Sequence, residues 1–209
     1  PTSKPRRFLI KWRIMKLCES LDLRPGDVAA FIGAGGKTTA LWRVQAELAA
    51  DGHRSILTTT TKIMEPVMPS DGALMLAARP NAARLMALLE RTPRLALAAG
   101  RLPERYPWHD DHPAPSRPYK LEGLAAETLD ELAAALPGVT WLVEADGAKG
   151  CGLKIHAAHE PVVPGCATLV VVMAHLNIVG QPLSDKTVHR AADAVQVLGV
   201  PMGTPLTPD

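Results

Sequence analysis

The sequence predicts an α/β fold in which a mostly parallel β-sheet is flanked by helices. Short apolar runs of strand length alternate with segments of helical periodicity along the chain. The apolar runs are nearly continuous, which is typical of parallel strands covered on both faces. A glycine-rich turn also joins the first apolar run to the first helix. These observations predict a single three-layer α/β/α domain over residues 1–209.

Each element is predicted from its local pattern. Apolar or β-branched runs predict strands at 28–32, 55–61, 73–78, 95–98, 140–143 and 168–173. Leu41, Val44 and Leu48 share one face of the helix that follows the first strand and ends at position 52. Further helices are predicted at 81–91, at 124–136, and at 184–199 with Ser184 as the N-cap.

Two segments interrupt the alternation. Five prolines between positions 101 and 118 predict an exposed excursion without regular structure. The residues after position 199 do not form another strand pattern.

Composition excludes several classes of protein. The chain is 47% hydrophobic and 21% charged, with a formal net charge of +2, as in an ordinary soluble domain. This charge gives no reason to expect a nucleic acid or a membrane surface as the main partner. The three cysteines have neither disulfide-framework nor zinc-site spacing, and no run of 18 apolar residues occurs. A cytoplasmic protein is therefore expected, and its oligomeric state stays open.

The turn after the first strand has the composition of a phosphate-binding loop. Glycines let backbone N–H groups point towards a bound anion, and the following helix contributes the partial positive charge of its N-terminus. Lys37 is predicted to contact the β- and γ-phosphates, and the Thr38 hydroxyl to bind Mg²⁺. The loop is two residues shorter than the standard G-x-x-x-x-G-K-[ST] pattern. The predicted phosphate-binding residues are Gly33, Ala34, Gly35, Gly36, Lys37, Thr38 and Thr39, in a fold like that of P-loop NTPases.

Polar residues follow the second predicted strand. Four consecutive threonines and Lys62 end this strand, and ligands of open parallel sheets bind at the carboxyl ends of the strands. We therefore predict that Thr60 and Lys62 contribute to the nucleotide site. The hydroxyl would reach Mg²⁺ or its waters, and Lys62 would reach a phosphate or an acidic substrate.

Carboxylates follow the strand predicted at 140–143. Glu144 and Asp146 are two positions apart, so both would lie on one face of an extended chain. Either could hold Mg²⁺ while the other orients a water molecule. Lys149, Lys154, His159 and Glu160 follow in the next loop and are predicted to contact a substrate or partner. The predicted catalytic residues are Lys37, Glu144, Asp146, Lys149 and His159.

The motifs in this order resemble one family, the accessory proteins of selenium-dependent molybdenum hydroxylases. The resemblance covers about residues 27–190. Its segments are 33–38 (GAGGKT), 58–62 (TTTTK), 144–149 (EADGAK), 153–154 (LK), 159–164 (HEPVVP), 180–183 (GQPL) and 188–190 (VHR). It implies a P-loop nucleotide-binding protein that assists the maturation of a molybdenum hydroxylase and interacts with that client or its cofactor machinery. Members of this family continue into a further strand and helix, so the resemblance implies that this sequence is either a shortened or an incomplete version.

The sequence is compatible with three functions. The first is a maturation protein that binds, and hydrolyses, ATP or GTP with Mg²⁺. The second is an ATP-dependent ligase or kinase that acts on a small acidic substrate, although 209 residues leave no room for the additional domains of peptide ligases. The third is a carrier that binds nucleotide or cofactor without turnover. No Asn-Lys-x-Asp motif is present to indicate GTP, so the base stays open.

Overall fold

A computed structural model describes residues 15–105 and 118–208. In chain order its elements are α1 (Leu17–Ser20), β1 (Val28–Gly33), α2 (Lys37–Ala50), β2 (Ser55–Thr59), β3 (Lys62–Met64), β4 (Gly72–Leu76), α3 (Ala82–Leu89), β5 (Arg94–Ala98), β6 (Gly100–Arg105), β7 (Tyr119–Glu122), α4 (Ala126–Ala135), β8 (Thr140–Glu144), β9 (Leu153–Lys154), β10 (Leu169–Met173), β11 (Val188–His189) and α5 (Ala191–Leu198). Within these described ranges, no helix is long and apolar enough to cross a membrane.

Six strands form one parallel sheet in the order β10-β1-β8-β2-β5-β4. Alternate residues of β1 pack into two separate cores. Val28, Ala30 and Ile32 face the core that contains α3 and α4, whereas Ala29 and Phe31 face the core that contains α2. The sheet is thus covered by helices on both faces, which confirms the predicted three-layer α/β/α architecture.

The prediction that 101–118 lacks regular structure is wrong for its first residues. β6 includes Pro103 and pairs with β7, which in turn pairs with β3, in a small antiparallel sheet. The register of β6 shifts between Arg101 and Arg105, and an irregular ladder of this kind tolerates a residue without an N–H group. Residues 106–117 of the predicted excursion lie outside the described residues.

The last helix also begins later than predicted. Ser184 accepts backbone hydrogen bonds from Thr187 and Val188 and so closes a turn instead of capping a helix. β11 follows and pairs in parallel with β9, and Arg190, in the left-handed region at φ 66°, separates β11 from α5. The chain from 176 to 206 packs its own small core, which we call the small lobe; its buried residues are Leu183, Val188, Ala191, Ala194 and Leu206.

Candidate functional site

The glycine loop (residues 33–36) connects β1 to α2. Two of its positions have no room for a side chain. Gly33 and Gly35 adopt φ angles of 92° and 75°. A Cβ atom on Gly33 would lie 2.3 Å from the carbonyl oxygen of Met173, and one on Gly35 would lie 2.4 Å from Cβ of His175. Both positions therefore require glycine for conformation and for space.

The loop offers hydrogen-bond donors at the start of α2. Gly36 is the N-cap of α2 and lies in the left-handed region, and it has no side chain that could cap the helix. The first N–H groups of any helix also lack intrahelical partners. Among the described residues, none accepts a hydrogen bond from the N–H groups of residues 35–38. By contrast, the Ala34 N–H donates to the carbonyl oxygen of Met173 at 2.8 Å. Ala34 therefore anchors the loop to β10, and the later residues supply the free donors.

Lys37 is buried although it carries a charge, with 5% of its side chain exposed. Its ammonium group donates a hydrogen bond to the carbonyl oxygen of Gly33 at 2.6 Å and lies 3.0 Å from Oδ1 of Asp146. The second contact is an ion pair without hydrogen-bond geometry. Within the described part of the chain, Oδ1 of Asp146 is a buried carboxylate oxygen that accepts no hydrogen bond.

Asp146 is fully buried and is the centre of the site. Its Oδ2 accepts a hydrogen bond from the Gly33 N–H at 2.8 Å and lies 2.6 Å from Nε2 of His156 and 3.3 Å from Nζ of Lys154. Burial alone would raise the pKa of Asp146, but the Gly33 N–H and the Lys37 ammonium outweigh burial and lower it. Asp146 is thus ionised at neutral pH, and Nε2 of His156 donates to it.

Glu144 has a different environment. The Thr38 hydroxyl donates a hydrogen bond to its Oε2 at 2.8 Å, and 8% of the residue is exposed. Burial raises the pKa of Glu144, and the opposing effects of Lys37 and Thr38 do not compensate for it. Thr38 and Glu144 therefore place two hard oxygen ligands next to each other at the end of the glycine loop.

The threonines that end β2 tie this strand to its neighbours. Thr59 Oγ1 donates to the carbonyl oxygen of Glu144 at 2.7 Å, and the Thr60 N–H donates to the same oxygen at 3.2 Å. The Thr60 hydroxyl donates to the carbonyl oxygen of Val162 at 2.6 Å. These bonds fix the position of Glu144. Lys62, two positions on, is exposed.

The loop after β8 contains a second group of buried charges. Lys154 donates hydrogen bonds to the carbonyl oxygen of Gly147 at 2.7 Å and to Glu160 at 2.9 Å, with its side chain fully buried. Arg190 donates to the same Glu160 oxygen at 2.7 Å. Burial opposes ionisation of Glu160, but Arg190 and Lys154 lower its pKa to about 2. Lys154 and Glu160 thus fasten the small lobe to Asp146.

A cleft of about 1170 Å³ opens over the glycine loop. We call it the central cleft; it is lined by residues 35–38, 61–64 and 147–152, by Lys120, Glu144 and Glu160, and by six residues between 175 and 187. The structure thus brings Lys37, Thr38, Glu144, Lys62 and Lys149 to one cavity. Asp146 lies directly behind its floor.

Other predicted site residues lie elsewhere. Thr39 is exposed on α2, and neither it nor Thr60 lines the central cleft. His159 is exposed and does not line the cleft either, whereas His156 contacts Asp146. No local signal in the sequence distinguishes these two histidines, because the contact depends on how the loop after β8 turns back towards the glycine loop.

Fold and site together define the class of protein. It is a three-layer α/β protein with a glycine-rich strand–loop–helix unit and buried carboxylates at the end of the neighbouring strand. The YqeC protein family matches residues 29–192, and the chain belongs to this family. It is 29% identical over 182 residues to a protein of Escherichia coli (strain K12) described as "Uncharacterized protein YqeC". The match covers 87% of this chain but 62% of the relative's length. No solved structure matches the chain.

Replacing Glu160 should destabilise the protein in a pH-dependent way. The pKa of Glu160 is lowered from 4.5 to about 2 in the folded state, so its stabilising effect is complete above pH 4.5 and is lost as the pH falls towards 2. We expect Glu160→Gln to lower the free energy of unfolding by about 3 kcal/mol at pH 7, and by much less at pH 3. Urea denaturation at both pH values measures this difference.

Glu65→Gln is the matched control, since it breaks an ion pair with the half-exposed Arg101. An exposed pair contributes about 1 kcal/mol or less. Equal losses for the two variants at pH 7 would show that Glu160 has no special role in stability.

Replacing Glu144 should have the opposite effect on stability. Its pKa is raised by burial, so folding disfavours the ionised carboxylate once the pH exceeds the ordinary value of 4.5. Glu144→Gln keeps an acceptor for Thr38 and removes the buried charge. We expect a higher Tm than the parent at pH 7 and a smaller difference at pH 4, measured by circular dichroism. Glu131→Gln on the exposed face of α4 is the control, and an equal or lower Tm for Glu144→Gln would contradict the assignment.

Proposed function

We propose that this protein binds a nucleoside triphosphate with Mg²⁺ in the central cleft and hydrolyses it as an accessory protein in molybdenum hydroxylase maturation. One observation carries the nucleotide part of the proposal. The Lys37 ammonium, the unpartnered N–H groups of residues 35–38 and the Thr38–Glu144 pair converge at the floor of one cleft. ATP and GTP fit this part of the site equally well, because only the phosphates contact it.

Phosphate binding would use donors that are already in position. The N–H groups of residues 35–38 line the cleft at the positive end of α2, where an anion is stabilised. Lys37 now contacts Asp146 and the carbonyl oxygen of Gly33, and both contacts can be exchanged for phosphate oxygens by a change of side-chain rotamer. Its positive charge would then offset the negative charge that develops on the phosphates during hydrolysis.

The residues present also fit Mg²⁺. This ion prefers oxygen ligands and is usually held by one or two carboxylates together with phosphates and waters. The Thr38 hydroxyl and the Glu144 carboxylate would hold it, and Oδ1 of Asp146, which accepts no hydrogen bond from the described residues, would become an acceptor for a bound water once Lys37 turns to the phosphates. Among the described residues, no three His, Cys, Asp or Glu side chains are grouped as a metal site. A metal that arrives with its nucleotide requires no such group. When bound, Mg²⁺ would neutralise charge on the β- and γ-phosphates.

The maturation role is supported by the series of motifs from residue 33 to residue 190, which resembles the accessory proteins of selenium-dependent molybdenum hydroxylases. Membership of the YqeC family is consistent with this role. The client would be a selenium-dependent molybdenum hydroxylase or the machinery that supplies its cofactor. The Escherichia coli relative is longer than the part matched here, so contacts with a client can involve regions outside this alignment.

The nucleotide site is tested by replacing Lys37. We expect the parent protein to bind ATP or GTP in isothermal titration calorimetry with Mg²⁺, and more weakly when EDTA removes the metal. Lys37→Met removes charge-assisted hydrogen bonds to the phosphates and should weaken binding by about tenfold or more. Equal affinity of Lys37→Met and the parent would refute the proposed site.

Two further variants make this test specific. Lys16→Met removes a lysine that pairs with Asp51 far from the cleft, and it should bind nucleotide like the parent. Thr38→Ser keeps the hydroxyl and should retain the Mg²⁺ dependence, whereas Thr38→Ala should lose it.

The maturation role is tested by hydrolysis in the presence of a client. We expect a purified molybdenum hydroxylase without its complete cofactor to increase phosphate release by the parent protein. Lys37→Met should show no such increase, since it cannot position the phosphates. An unchanged rate with client, together with tight Mg²⁺-dependent nucleotide binding, would favour the carrier function instead.

A further inference from the structure

We propose that the central cleft contains a second site, which binds a small polyanion with phosphate or carboxylate groups. Lys149 and Lys186 form this site, and Lys62 adds a third positive charge to the same cavity. This inference depends on the proposed function only in assuming that a nucleotide occupies the glycine loop. The second ligand would then be a co-substrate or acceptor that is bound next to the nucleotide.

The first support for this second site is that the segments carrying Lys149 and Lys186 are hydrogen-bonded to each other. The N–H groups of Gly152 and Leu153 both donate to the carbonyl oxygen of Thr187, at 3.1 and 3.2 Å. This places the loop that carries Lys149 directly beside the turn that carries Lys186. Both lysines line the central cleft.

Packing fixes the position of the Lys149 loop. A Cβ atom on Gly152 would lie 2.3 Å from Cγ2 of Ile178, so the loop is in close contact with the 3-10 turn Leu176–Ile178. The His175 N–H donates to the carbonyl oxygen of Gly152 at 2.8 Å, which holds the loop against the segment after β10. The two lysines therefore extend from a rigid base, as a preorganised binding site requires.

The charges of the cleft support an anionic ligand. Five lysines and two glutamates line it. Lys37 is paired with Asp146, and Glu160 is already neutralised by Lys154 and Arg190. Three of the remaining lysines have no carboxylate partner among the described residues: Lys62, Lys149 and Lys186. Like charges that share one cavity repel each other, and an anion between them removes this repulsion.

The nucleotide does not account for this charge. The N–H groups of residues 35–38, Lys37 and Mg²⁺ already supply the donors and the positive charge that a triphosphate needs. The cleft of about 1170 Å³ also exceeds the roughly 300–1,000 Å³ of common small-molecule pockets. Space and positive charge thus both remain for a second ligand.

A small molecule explains these features better than an acidic macromolecule. The three lysines are exposed, but they line one cleft whose floor is the glycine loop, and the formal net charge of the whole chain is only +2. The ligand would be held without a covalent bond to the adjacent Cys151. Burial raises the pKa of this thiol, and the nearby Asp185 raises it further, so Cys151 is not a thiolate at neutral pH.

The experiment uses two probes, inorganic pyrophosphate and citrate, at constant ionic strength. The full chain is first saturated with Mg²⁺ and a non-hydrolysable ATP or GTP analogue, whichever binds, and each probe is then titrated in by calorimetry. We expect one further binding event per chain for at least one probe. Lys186→Met should weaken this event by about tenfold, because it removes one charged contact with the probe, and should leave analogue binding unchanged. Lys16→Met is the matched control and should bind the probe like the parent.

Lys37→Met separates the two proposals. If this variant loses the analogue but still binds the probe, both are supported. If neither the parent nor Lys37→Met binds the analogue but both bind the probe, the second site is supported and the nucleotide site is not. Probe binding that saturation with the analogue abolishes, or that Lys186→Met leaves unchanged, would overturn the second site. Binding of a glutamate-rich peptide at lower concentration than either probe would overturn the choice of a small molecule.

Discussion

The buried carboxylate of Asp146 is the group on which the rest of the site depends. An ionised carboxylate with no exposed surface is stable only if its charge is compensated by nearby donors. Here the donors come from different parts of the chain: the glycine loop, Lys37 at the start of α2, and the loop after β8 with Lys154 and His156. One side chain therefore joins the glycine loop and Lys37 to the loop that holds the small lobe.

Most contacts of Asp146 would remain if a ligand drew the Lys37 side chain away from it. If a phosphate replaces Asp146 as the partner of Lys37, the carboxylate keeps the Gly33 N–H, His156 and Lys154 as donors on its other oxygen. The hydrogen bond between the Gly33 N–H and Asp146 therefore does not depend on where Lys37 lies. Donors that are fixed before the ligand binds need no reorganisation on binding, and this is the physical basis of electrostatic stabilisation in such sites.

The sequence was sufficient to predict the parts of the structure that depend on local pattern. The six parallel strands, the glycine loop and the carboxylates after β8 all follow from apolar runs and from residues adjacent in the chain. The small antiparallel sheet was not predicted, because Pro103 argues against a strand unless the ladder shift beside it is known. The small lobe was not predicted either. β9 and β11 are two residues each, too short to give a periodic signal, and they pair only through the tertiary structure.

The contact between His156 and Asp146 was beyond sequence reasoning for a related reason. Ten residues separate them, and the loop between them is folded by bonds that involve distant partners, among them Thr187 and Arg190. By contrast, Asp146 and Lys37 were predicted for the same site, because the carboxyl ends of parallel strands lie at one edge of a sheet. The structure adds that β1 and β8 are adjacent in that sheet.

The two carboxylates at the end of β8, Glu144 and Asp146, have different environments, and this difference separates their roles. Asp146 has a lowered pKa because hydrogen-bond donors and ammonium groups surround it, so its charge is already used by the protein. Glu144 has a raised pKa because it is buried, and among the described residues only the Thr38 hydroxyl donates a hydrogen bond to its carboxylate. A cation bound beside the Thr38 hydroxyl would compensate the charge of Glu144, and would add little for Asp146. Two neighbouring titratable groups whose pKa values are shifted in opposite directions commonly have different roles in a site. In the proposed nucleotide site, Glu144 would therefore hold the metal, whereas Asp146 positions Lys37 and the glycine loop.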